Sequence, residues 1–141
     1  MIEFYKKHKE VVLYLIFGVA TTLINWVVYV VLIELFKVNM TLSNGIAWLV
    51  AVVFAFLTNK VYVFNSSSFS FKLLLKEALS FFTSRIFTGL IDIFIPEVLF
   101  LLGINQAVFG IDGFVAKALT SVVVIVLNYI FSKFFVFKKK A

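Results

Sequence analysis

The stretch "VVLYLIFGVATTLINWVVYVVLI", residues 11–33, contains no Asp, Glu, Lys or Arg. An apolar run of about 20 residues is enough to cross ~30 Å of hydrocarbon. The preceding "MIEFYKKHKE" is basic, as the start of a secretory signal would be. A signal peptide, however, has an apolar core of about 7–15 residues and then a small-residue cleavage site. This run is longer and passes into Glu34 and Lys37 without such a site, so it is expected to be a retained membrane helix.

Composition carries the same message over all 141 residues. The chain is 63% hydrophobic and 14% charged, where soluble domains run nearer half apolar and about a quarter charged. Nineteen Phe and a single Pro suit lipid-facing helices. There are no cysteines, which excludes disulfides, thiolate catalysis and Cys-ligated metals. The net charge of +6 does not point to nucleic acid, because the basic residues stand at the ends of apolar runs, where they act as surface anchors and topology signals.

Three further apolar runs follow, giving helices at about 11–33, 42–64, 79–102 and 114–137. Each is expected to be α-helical, since only helices and closed barrels satisfy the whole backbone in lipid. The alternating pattern of a barrel strand is absent. The expectation is an all-α integral membrane protein of the cell membrane, with residues 1–141 forming one multi-pass domain. The connection "NSSSFSFKLLLKE" reads as a Ser-rich bend followed by a short interfacial piece, and "GINQAVFGIDG" as a glycine-marked loop.

Lys6, Lys7, Lys9, Lys60, Lys72, Lys76, Arg85, Lys133, Lys138, Lys139 and Lys140 lie in the two tails and the middle connection with its helix ends. Only Lys37 and Lys117 lie in the other two connections. By the positive-inside rule both termini and the middle connection are expected in the cytoplasm. Two segments then leave the membrane on that side, "FLTNKVYVF" (56–64) and "YIFSKFFVF" (129–137). Lys60, Val63 and Phe64 in the first recur as Lys133, Val136 and Phe137 in the second. Either the chain holds two parallel helical-hairpin repeats, or any helix ending at that interface collects Lys and aromatics.

The third run is the polar one. Ser80, Ser84, Thr88 and Asp92 form one stripe, with Arg85 on nearly the same face. A charge at mid-membrane costs roughly 2.5–3.5 kcal/mol. Arg85 can snorkel, whereas Asp92 lies about 10 Å deeper. Pro96 lacks the N–H that would bond the Asp92 carbonyl, leaving a spare acceptor there. Asp92 is therefore expected either to line a polar path or to be held structurally, protonated or paired with Arg85. Asn25 and Tyr29 share a face with Gly18, Thr21 and Thr22, and Ser121, Asn128 and Ser132 share another. Ala47, Ala51 and Ala55 form a small-residue packing seam. Thr21, Thr22, Ser84 and Ser121 are expected to serve as inter-helix hydrogen-bond glue. His8 has no companion ligand, so no metal is expected. Asn39-Met40-Thr41 matches a weak glycosylation pattern. No phosphate-cradling loop or nucleophile–His–acid set is present, so neither catalysis nor a cofactor is expected.

With "FGVATTLINWVVYVVL", "VAVVFAFLTNKVYVF" and "LNYIFSKFFVF" at matching places on four spans, the chain resembles the GtrA-like family over about Tyr14 to Phe137. That family usually has Arg where Lys60 and Lys133 stand, a difference that keeps charge but loses a bidentate fork. The resemblance implies flipping of a polyprenyl-phosphate-linked sugar for a surface polymer such as O-antigen or teichoic acid, beside membrane-associated glycosyltransferases. One branch of the family acts on wall teichoic acid.

On that view Lys60, Arg85 and Lys133, at one depth, would bind the lipid phosphate. Asn25, Asn59, Thr88, Asp92 and Asn128 would form the sugar path. The other partners expected are membrane lipids, and the small volume of four short helices is compatible with a homodimer. Two rivals are a membrane anchor for a glycosyltransferase and a four-helix drug or cation exporter. The exporter would need Asp92 as its carboxylate, because the first run has Asn25 and no acid.

Overall fold

The protein is described here by a computed structural model covering residues 2–138, with the side chains of residues 2, 4 and 5 left aside. Lys139 and Lys140 of the basic tail lie outside the described residues. Helix α1 runs Ile2–Glu34, α2 Met40–Thr58, α3 Phe71–Leu101 and α4 Phe114–Phe131. α2 and α4 each continue into one wide turn of π-helix, Asn59–Val63 and Ser132–Val136. With those turns counted, four segments are long and apolar enough to cross a membrane: Lys6–Glu34, Met40–Val63, Phe71–Leu101 and Phe114–Val136.

Two boundaries differ from the sequence expectation. α1 begins well before Val11 and bends at His8, whose φ −114° and ψ 16° are not helical. α3 begins at Phe71, so the expected interfacial piece is the first two turns of the spanning helix itself. The apolar content of "FKLLLKEA" and the absence of any Gly or Pro there let the helix run through.

The chain divides between Phe69 and Ser70 into two compact units. In the first, α1 packs against α2. Asn39 starts α2 by accepting a hydrogen bond from the Leu42 N–H at 2.9 Å, so this side chain serves as an N-cap. The expected alanine seam is buried at Ala47, Ala51 and Ala55, which lets backbones approach closely. Most of α1 faces outward with Val19, Leu23, Trp26 and Val27 exposed, as a lipid-facing helix requires.

In the second unit α3 packs against α4. The loop between them turns through Val108 and Ile111, which exchange backbone hydrogen bonds at 3.3 and 3.1 Å. Gly113 closes it with φ +72°, and a Cβ there would lie 2.9 Å from the Phe100 ring. Both the left-handed backbone and the close approach demand glycine at this position.

Candidate functional site

The two π-turns fall on the two echoed segments. In each, the amide of the closing Phe bonds five residues back: Phe64 N–H to the Asn59 carbonyl and Phe137 N–H to the Ser132 carbonyl, both at 2.9 Å. A π-turn is rare and concentrates at functional sites. Its extra residue changes which side chains turn inward. Asn59, Lys60, Val63 and Phe64 are buried in the first, and Ser132, Val136 and Phe137 at the equivalent places in the second. Val61, Tyr62, Phe134 and Phe135 point out. Tyr62 stacks on Phe17 of α1 at 5.4 Å between ring centroids, and Phe137 packs on Phe81 of α3 at 6.0 Å. In each unit one aromatic of the echoed segment thus packs on the first helix, Tyr62 on α1 and Phe137 on α3.

The two lysines are not equivalent. Lys60 is 0% exposed. Its Nζ donates to Ser66 Oγ at 3.0 Å and lies 5.0 Å from the centre of the Phe69 ring. The Ser66 N–H in turn bonds the Lys60 carbonyl at 2.8 Å, so "NSSSF" crosses the lysine as a strap. Lys133 is half-buried; its Nζ bonds the Tyr129 hydroxyl at 3.1 Å and faces the Tyr129 and Phe134 rings. Arg85 sets its guanidinium 4.6 Å from the centre of the Phe81 ring.

Beside Lys60, the Asn59 amide Nδ2 donates to the Ala55 carbonyl at 2.7 Å. Asn59 Oδ1 is buried and accepts no hydrogen bond. Such a group costs about 1–3 kcal/mol. Asn25 lies half-buried on α1.

In the second unit the Thr88 hydroxyl crosses from α3 to α4 and donates to Asn128 Oδ1 at 2.7 Å. Both are buried. Three of the other hydroxyls bond within their own helices. Thr21 bonds the Phe17 carbonyl at 2.7 Å, Thr22 that of Gly18 at 3.2 Å and Ser84 that of Ser80 at 3.0 Å. Each satisfies itself one turn back on its own helix, so the inter-helix glue expected of these three is not made.

Asp92 is paired, but with Lys117 rather than Arg85. Lys117 Nζ lies 2.7 Å from Asp92 Oδ2 and 3.1 Å from the Asp92 carbonyl. That carbonyl is the acceptor Pro96 leaves spare, and the ammonium takes it together with the carboxylate. The sequence placed Lys117 among the connections because periodicity does not tell how far α4 is slid along α3. It also missed Glu77, a carboxylate buried in α3, and the strap over Lys60.

Residues 13–137 match the family model described as "GtrA/DPMS, transmembrane domain". The chain belongs to this GtrA/DPMS family. It is 36% identical over 127 residues to the "Uncharacterized membrane protein YwcD" of Bacillus subtilis (strain 168), covering 90% of this chain and 95% of that one. It is 39% identical over 131 residues to the "Cell wall teichoic acid glycosylation protein GtcA" of Listeria monocytogenes serovar 1/2a, covering 93% and 86%. The corresponding GtcA of Listeria innocua is 38% identical over 129 residues, covering 92% and 85%. No solved structure matches the chain. As a GtrA/DPMS member with four apolar spans, it is a multi-pass membrane protein.

Within this GtrA/DPMS chain the candidate residues fall into separate groups. Asn59 and Lys60 adjoin in the first unit. In the second, Lys133 ends α4, Thr88 and Asn128 join the helices at mid-length, and Asp92 with Lys117 lies toward the loop. Arg85 sits on α3 one turn from Thr88, nearer the Lys133 end.

Proposed function

We propose that the chain moves a polyprenyl-phosphate-linked sugar across the cell membrane for glycosylation of a cell-surface polymer, with teichoic acid the foremost class and both termini cytoplasmic. In this reading it is not an enzyme; membrane-associated glycosyltransferases make and use the carried lipid. The teichoic acid role is suggested by the Listeria relatives, and the orientation by the positive-inside bias.

The observation that carries the reading is the polar series of the second unit. It runs from Lys133 through the Thr88–Asn128 bond to the Lys117–Asp92 pair, in two helices otherwise built to face lipid. A sugar-phosphate head needs such a series, because polar groups without partners are costly in hydrocarbon. Lys133 and Arg85 supply cations for the phosphate, and Asn128 and Thr88 supply hydroxyl-binding groups. On the first unit Asn25, Asn59 and Lys60 are assigned the same two tasks. The buried Lys60 reaches a phosphate only once the Ser66–Phe69 strap lifts. The ammonium bound to Asp92 counts against the cation exporter, whose carboxylate has to be free for cargo.

Purified protein in liposomes tests this. Lipid-linked sugar becoming accessible at the opposite leaflet faster than in protein-free vesicles supports translocation; no acceleration overturns it in favour of an anchor. In cells, Lys133→Ala is expected to lower sugar attachment at unchanged membrane abundance, and Lys133→Arg to preserve it.

A further inference from the structure

We propose that Lys117, held in reserve by Asp92, is a second oxyanion station at the loop end of the second unit, where a lipid phosphate displaces the Asp92 carboxylate. The inference rests on the translocation reading and adds a receiving site on the far side. Three observations carry it.

The first is that the pair is open. Its ion-pair distance is 2.7 Å, yet the Lys117 and Asp92 side chains are 53% and 38% exposed. Both charged side chains can therefore be reached by a group outside the protein. The second is the donor count. An ammonium has three N–H groups; Asp92 takes two, through Oδ2 and the carbonyl that Pro96 frees. One donor remains for an oxyanion. The third is position. From Lys117 to Lys133 the helical rise is roughly 24 Å, against a hydrocarbon core of ~30 Å. One helix therefore carries a lysine near each of its two boundaries.

Asp92 gives the station its character. An arriving phosphate gains charge-assisted bonds to Lys117 but stands beside a carboxylate of like charge. Binding is weak, and on release Asp92 recaptures the ammonium. A station of this kind receives its anion without trapping it.

The test is binding of farnesyl phosphate to the full chain in phosphatidylcholine nanodiscs at low ionic strength, followed by calorimetry. Asp92→Asn is expected to bind about fivefold tighter, the factor corresponding to loss of one half-exposed ion pair as competitor. Lys117→Gln combined with Asp92→Asn removes that gain, and Lys117→Gln alone binds no tighter than wild type. A gain in affinity cannot come from misfolding. An Asp92→Asn affinity equal to wild type overturns the proposal, as does a gain that survives Lys117→Gln. Inorganic phosphate at matched concentration identifies the source: competition assigns the station to free phosphate, and none assigns it to the lipid ester. If translocation is the part that fails, sugar does not change leaflets while the Asp92→Asn gain persists. If the station fails, translocation and its dependence on Lys133 persist without that gain.

Discussion

Replacing Pro96 with Ala isolates the role of Lys117 as a backbone partner. The substitution returns an N–H to position 96, one turn from the Asp92 carbonyl, and removes the ring that crowds it. In a helix interior this is worth about 3 kcal/mol. Here the carbonyl is not bare, because Lys117 Nζ donates to it at 3.1 Å. The restored amide takes the carbonyl's second lone pair, and two donors sharing one oxygen weaken each other, so part of the gain is cancelled. A hydrogen bond to a charged group contributes about 1.5–3 kcal/mol, and the half-exposed lysine puts this one at or below the lower end. Pro96→Ala should therefore stabilise the wild type by about 1.5–2 kcal/mol. In a Lys117→Gln background it should recover nearly all of the ~3 kcal/mol. The difference, about 1–1.5 kcal/mol, is a coupling energy read from a double-mutant cycle. Mixed-micelle unfolding followed by far-ultraviolet circular dichroism reads all four variants. The two tryptophans, Trp26 and Trp48, belong to the first unit, so neither stands on α3 or α4. A coupling below about 0.3 kcal/mol, within the scatter of independent sites, would refute the claim that Lys117 caps this carbonyl.

Thr88→Val and Asn128→Leu form a second cycle, across the buried bond between α3 and α4. Hydrogen bonds between membrane helices average about 0.6 kcal/mol with a ceiling near 1.7, and burial of both partners places this pair in the upper half of that range. Additive losses would show that the bond contributes nothing. Asn59→Leu removes the buried acceptor that has no partner and should leave the protein as stable as wild type, or more stable by up to about 1 kcal/mol, while lowering sugar attachment in cells. Full attachment in that variant would remove Asn59 from the sugar path.

The helices were legible because lipid imposes a simple demand, about 20 apolar residues per crossing, and residues 11–33 meet it without a single charge. The alanine seam was legible for a related reason: close packing of backbones selects small side chains at helical spacing. Asp92 also stood out in the sequence as an acid beside a proline-weakened turn. What the sequence did not reveal was its partner. Lys117 lies 25 positions away, and which residues of two packed helices meet depends on their register, which a period of 3.6 leaves open. The strap over Lys60 was hidden because "NSSSF" has the composition of any loop. The π-turns escaped because no residue preference marks one. Only the repetition of Lys-x-x-Val-Phe hinted that the two helix ends share a geometry, and interface chemistry explained that repetition equally well.

The shared π-turn also ties the winding of each segment to its length. A π-turn spends one residue more than an α-turn, and one residue of α-helix corresponds to about 100° of rotation. Were the same residues between Asn59 and Phe64, or between Ser132 and Phe137, wound as plain α-helix, everything beyond would swing by that angle. The buried closing Phe of each segment would then leave its seat. A segment one residue shorter escapes that swing, because an α-turn then carries the chain through nearly the same rotation. In relatives, a one-residue gap inside either six-residue window should therefore accompany a plain α-turn, and a full-length window the wide one.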